Sequence, residues 1–222
     1  MHLLQLLTSL FNFVVTAEFI TFIAAIFLLR KKRTGIWRLF IALFVVTILT
    51  ETIGWYWNHF LHKPNGWIFN INLVITIVFL LWMLSTAEPV RKTARVIYAV
   101  IIFFVAAALV NLLFFQGFVY YNQYTETIGD ILQVIVCCYF FYALITEETY
   151  RNLLAYEYFW LANGILFSSM ISTFLYIFPV VLRDFQKHTG INAFGIVNNV
   201  LNILLYGSII IAFICRNRNT KL

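Results

Sequence analysis

Apolar stretches of about 20 residues recur along the chain, each long enough to cross the ~30 Å hydrocarbon layer of a bilayer as an α-helix. Seven can be placed, at about 9–30, 37–59, 67–87, 95–116, 126–146, 157–180 and 193–215. Backbone in lipid must satisfy its own N–H and C=O groups, so uninterrupted apolar segments of this length are helices. The expected fold is all-α, an integral membrane seven-helix bundle that takes residues 1–222 as one domain. The connections at Lys31–Gly35, Phe60–Gly66, Glu88–Thr93, Gly117–Thr125, Glu147–Tyr156 and Leu182–Asn192 are too short for an extramembrane domain. Any chemistry is therefore expected inside the bundle or at its rims.

Only 11% of the residues are charged and 63% are hydrophobic, against ~25% charged in a typical soluble domain. The formal charge of +6 does not point to nucleic acid, because the basic residues are short clusters between apolar segments. Such clusters set topology and touch anionic lipid head groups. Arg30, Lys31, Lys32, Arg33, Arg38, Arg91, Lys92, Arg95, Arg151, Arg216, Arg218 and Lys221 fall on one side, and Lys63, Arg183 and Lys187 on the other. By the positive-inside rule the C-terminus is cytoplasmic and the N-terminus outside. The first stretch has neither a basic leader nor a small-residue cleavage site before Arg30, so it reads as a span and not a signal peptide. Trp55, Trp57 and Trp67 lie near span ends, as aromatic belts do. Pro64, Pro89 and Pro179 sit at or beyond helix ends, so the helices should be largely unbroken. Cys137, Cys138 and Cys215 lie in or at the edge of apolar segments and are expected to be buried free thiols packing as small apolar groups.

Ionisable groups at membrane depth are costly and tend to mark function. Glu18, Glu51 and Asp130 lie within spans, and no Lys or Arg is placed deep enough to pair with them. Helical spacing aligns other polar residues with these acids. Thr47, Glu51, Gly54, Trp55 and Asn58 form one stripe, and Glu126, Asp130, Gln133 and Cys137 another. Asn72 and Thr76, Asn111, the serines 168, 169 and 172 with Thr173, and Asn198, Asn199, Asn202 and Tyr206 extend the set over four further stretches of helix face. Most of these groups fall between the midplane and the outer surface, whereas the inner half is mainly Phe, Leu, Ile and Val. This asymmetry suggests a cavity opening outward, with Glu18, Glu51, Trp55, Asn72, Asp130, Asn198, Asn199 and Asn202 as ligand-binding residues. The competing expectation is that the same amides and hydroxyls only join helices, at ~0.6 kcal/mol per contact.

His59 and His62 are spaced i, i+3, which would suit one metal ion, although interfacial His residues are common and no metal or other cofactor is expected. The last span has no Lys for a retinal Schiff base, and no His lies at membrane depth for the chemistry of zinc-dependent seven-helix hydrolases resembling ceramidases. The prolines within spans that mark sugar transporters of the SWEET type are absent too. Phosphate-cradling glycine loops, CxxC pairs and nucleophile elbows are also missing, so catalysis is not the leading expectation. A faint match between Asn72-Leu-Val-Ile-Thr-Ile77 and Asn198-Asn-Val-Leu-Asn-Ile203 raises the question of an internal duplication.

The run TETIGWYWNHF that ends the second span, with NNVLNILLYGSIIIAF in the seventh, resembles a group of seven-helix membrane proteins of Bacteroidota. The resemblance covers most of the chain and implies a multi-pass protein of a bacterial inner membrane. That group has no assigned activity, so it lends no residue a role. The leading functional expectation is a sensor or receptor-like protein that binds a small ligand in the cavity and signals through a membrane-protein partner or a second copy. A small-solute transporter coupled to carboxylate protonation, and a structural or assembly protein, are the alternatives.

Overall fold

The structure, a computed structural model, describes residues 13–30, 32–147 and 151–219. Among them it is all-helical, with no strand. The α-helices are α1 (Phe13–Leu29), α2 (Leu39–Leu61), α3 (Gly66–Ser85), α4 (Ala94–Phe114), α5 (Gln123–Ile145), α6 (Glu157–Ile177), α7 (Pro179–Thr189) and α8 (Ala193–Asn219). Short 3-10 segments at Lys32–Arg38, Glu88–Thr93 and Leu153–Ala155 lead into α2, α4 and α6. Gly35 kinks the first of these with φ 60 and ψ −131, a backbone state open to glycine because it has no Cβ.

Six helices, α2 to α6 and α8, are long and apolar enough to cross a membrane. The chain is a multi-pass helical membrane protein. The described part of α1 is apolar but shorter, at 17 residues, and the expected start of that span at residues 9–12 lies outside the described residues. The other boundaries fall close to those expected, with one correction. The span expected at 157–180 ends at Ile177, and Pro179 opens a separate amphipathic helix, α7, that takes the last residues of that span and most of the connection expected at Leu182–Asn192. Proline fits there because the first turn of a helix needs no N–H from that position.

The helices pack in chain order round a closed ring: α1 on α2, α2 on α3, α3 on α4, α4 on α5, α5 on α6, α6 on α8, and α8 back on α1. Helix α3 also touches α5 and α6, which draws it toward the centre. Small residues permit the closest approaches, as in membrane bundles generally. A Cβ on Gly164 would stand 2.7 Å from Ser208 Cβ on α8, and one on Gly129 would collide with Ile77 of α3. Gly66 opens α3 beneath the α4–α5 connection, where an added Cβ would lie 2.6 Å from Val119 O and 2.7 Å from Tyr121 N.

The interior differs along the bundle axis. Toward the end carrying the α1–α2, α3–α4 and α5–α6 connections it is closed by aromatic rings. Trp37, fully buried, has ring centroids 5.1 Å from Tyr158, 5.5 Å from Phe40 and 6.3 Å from Phe213. Phe40 in turn packs on Phe79 and Phe213. At the rim of this end Glu157, 5% exposed, accepts from Arg216 Nη1 at 2.8 Å and from Asn219 Nδ2 at 2.9 Å. Arg151 donates to Glu88 and Glu147 and stands over the Tyr156 ring at 4.6 Å. The cysteines are free, and Cys138 is exposed on the outward face of α5, contrary to the expectation that all three are buried.

Candidate functional site

The opposite half of the bundle holds most of the buried polar residues. Two cavities lie there between α3 and α8, which face each other across the interior. The first, of about 170 Å³, is walled by Glu18 of α1, Phe44 and Thr47 of α2, Asn72 and Thr76 of α3, Tyr121 and Tyr206. The second, of about 190 Å³, lies among α3, α5, α6 and α8 and is lined by Glu126, Asp130, Gln133, Ser169, Ser172, Asn198 and Asn202. Leu73, Thr76, Leu80, Leu205 and Tyr206 border both, so a single wall separates them.

In the first cavity the Tyr206 hydroxyl donates to Glu18 Oε1 at 2.8 Å, while Glu18 Oε2 is buried without a protein partner. Glu51 lies close enough to interact electrostatically with Glu18. Asn72 Oδ1 is also buried and unpaired. In the second, Ser169 donates to Gln133 Oε1 at 2.6 Å and leaves Gln133 Nε2 unpaired. Asp130, 7% exposed, faces Ser169 and Ser172, and its Oδ2 has no partner. Glu126 faces the phenols of Tyr121 and Tyr176 and likewise has an unpaired oxygen, Oε2. The Tyr121 and Tyr176 rings lie 6.4 Å apart, and Phe194 is 5.7 Å from Tyr176. These three rings gather near the C-terminal end of α6 and the start of α8.

Helical periodicity produces this convergence. Glu126, Asp130 and Gln133 occupy successive turns on one face of α5, as Asn198, Asn202 and Tyr206 do on α8. Asn70, two residues before Asn72, points elsewhere. Its Nδ2 donates to Tyr120 O at 2.8 Å and its Oδ1 accepts from Asn122 N at 2.8 Å, which clamps the α4–α5 connection onto α3. Asn111 continues the clamp through Gln116 Oε1 and Thr125 Oγ1. Tyr121 is thereby held against the first cavity and Glu126.

Of the residues expected from the sequence, Glu18 and Asn72 line the first cavity, and Asp130, Asn198 and Asn202 the second. Glu51 lines neither cavity and interacts only electrostatically with Glu18. Trp55 and Asn199 line neither cavity: both are half-buried, and Trp55 stacks on His59 with centroids 5.3 Å apart. Glu126, Gln133, Ser169, Ser172, Tyr121 and Tyr206 complete the walls and were not among the expected ligand-binding residues. Their polar stripes were visible on α5, α6 and α8, with Tyr206 on the last, but Tyr121 carries no such signal. His62 closes α2 in a left-handed conformation, φ 51, outside the helix, so the i, i+3 spacing to His59 does not put the two rings on one helix face. Among the described residues no group of three or more His, Cys, Asp or Glu side chains stands close enough to hold a metal ion.

The fold and the site together define a multi-pass helical membrane protein with an acid-lined polar interior at one end and an aromatic core at the other. No protein-family model, no curated protein and no solved structure matches the chain.

Proposed function

We propose that the chain is a receptor-like protein of a bacterial inner membrane, with α1 as a seventh span, the N-terminus outside and the C-terminus cytoplasmic. In this reading it binds a small polar ligand in the paired cavities and passes the binding event to a membrane-protein partner or a second copy. The observation that carries the reading is a cluster of unpaired buried atoms: Glu18 Oε2, Asn72 Oδ1, Glu126 Oε2, Asp130 Oδ2 and Gln133 Nε2 belong to residues lining one of two adjoining cavities, while others, such as Trp37 Nε1 and Asn111 Oδ1, are scattered elsewhere in the bundle. Each such atom costs ~1–3 kcal/mol when left dry. The basic residues flanking the aromatic end support its assignment to the cytoplasm, and the bilayer is the natural solvent for six long apolar helices.

A density map of the protein in lipid nanodiscs tests this. Ordered non-protein density bridging Asp130, Gln133, Glu126 and Asn198 is the expected result. A dry, collapsed interior in which the carboxyls pair with neighbouring amides would reject the ligand site and leave an assembly role. Transport is the second reading, favoured by the single wall between the two acid-bearing cavities. It requires the Trp37–Phe40–Phe213 cluster to part, so proteoliposomes loaded with a pH-sensitive dye would report proton movement that Glu18→Gln abolishes. A receptor gives saturable binding and no flux.

A further inference from the structure

The second cavity makes two opposite demands on whatever fills it. Asp130 Oδ2 and Glu126 Oε2 need a donor, and the side chain of Asp130 is 7% exposed. Gln133 Nε2, on a side chain 3% exposed, needs an acceptor. Asp130 and Gln133 are three residues apart on α5, a rise of about 4.5 Å, and on the same side of the helix. Among the described residues no Lys or Arg lines the cavity. A negatively charged occupant would meet two carboxyls and no cation. A neutral polyol could bond to them but would bring no opposite charge to a site where water is scarce and charge pairing counts most. The Tyr206 side chain borders the cavity, so an aromatic group is available to a cation. The lack of a three-ligand His, Cys, Asp or Glu group among the described residues favours an organic cation over a metal ion.

We infer that this cavity takes a small amino alcohol or amino ketone, its ammonium directed at Asp130 and Glu126 and its oxygen, on the neighbouring carbon, accepting from Gln133. The inference rests on the reading of the cavities as a ligand site and narrows it to one chemical class. Asp130 and Glu126 select charge. Gln133 selects the oxygen.

Isothermal titration of the full chain in nanodiscs with 2-amino-1-phenylethanol tests it, beside two matched probes: 1-phenylethane-1,2-diol, which lacks the amine, and 2-phenylethylamine, which lacks the hydroxyl. The amino alcohol should bind saturably and at least tenfold more tightly than either. Asp130→Asn should erase the preference over the diol, and Gln133→Leu the preference over the simple amine. Glu126→Gln serves where Asp130→Asn fails to fold. If the diol binds as tightly as the amino alcohol, the cation assignment is wrong while the ligand-site reading stands. If none of the three binds and the density map shows a dry interior, both fall. Failure of the amino alcohol to bind overturns the inference whatever the map shows.

Discussion

At the scale of single residues, Asn70 and Asn72 show how two identical side chains acquire different tasks. Two positions along a helix turn the side chain through ~200°, so Asn72 meets the first cavity while Asn70 meets the α4–α5 connection. Asn70→Ala removes bonds to Tyr120 O and Asn122 N and leaves the loop groups unpaired, a loss of about 2 kcal/mol. The expected outcome is a lowered unfolding temperature together with exposure of the connection to protease. An unchanged cleavage pattern would mean that the clamp does not hold the loop. The sequence displayed Asn70 as one more amide in a span, with nothing to mark a partner about fifty residues away. It also left Tyr121 and Tyr176 indistinguishable from belt residues, because an amphipathic ring near a span end has the same address whether it faces head groups or a carboxyl. The acids Glu18 and Asp130 were legible because charge at membrane depth has few uses. Trp55 and Asn199 were drawn in by spacing alone, and spacing defines a face without saying what the face meets.

At the scale of elements, the long helices were readable to within a few residues because roughly 20 uninterrupted apolar residues have one stable outcome in lipid. Helix α7 was not. Its 11 residues mix Val180, Val181, Leu182 and Phe185 with Arg183, Asp184 and Lys187, too short and too charged to register as a span and easily taken for a loop. The joint of α6 against α8 depends on Gly164 lying over Ser208. Gly164→Leu inserts a branched side chain where even a Cβ stands 2.7 Å from its neighbour, a cost of about 1–3 kcal/mol. Loss of thermal stability in detergent is expected, with Gly164→Ala intermediate. If Gly164→Leu unfolds at the native temperature, α6 and α8 are not in the contact described.

At the scale of the whole molecule, the division into an acid-bearing half and an aromatic half was anticipated from the sequence, since polar residues cluster toward the same ends of successive helices. The number of spans and their direction rest on the charge count and on α1. After replacement of the native cysteines, Lys63→Cys should react with a membrane-impermeant maleimide in intact cells, and Arg91→Cys only after permeabilisation. A tag appended before residue 1 should share the exposure of position 63 if α1 crosses the bilayer. Reversal of the two cysteine results would invert the topology and move the cavities to the cytoplasmic side.

The aromatic half offers a way to listen to the other. Trp37 is fully buried between Phe40, Tyr158 and Phe213, side chains contributed by α2, α6 and α8. Indole emission is sensitive to the rings and dipoles around it, so any sliding of α8 against α2 retunes its colour and lifetime. A version of the chain retaining Trp37 as its sole tryptophan would carry an optical gauge at the far end of the bundle from Asp130, reading in real time whether occupancy at one end is felt at the other.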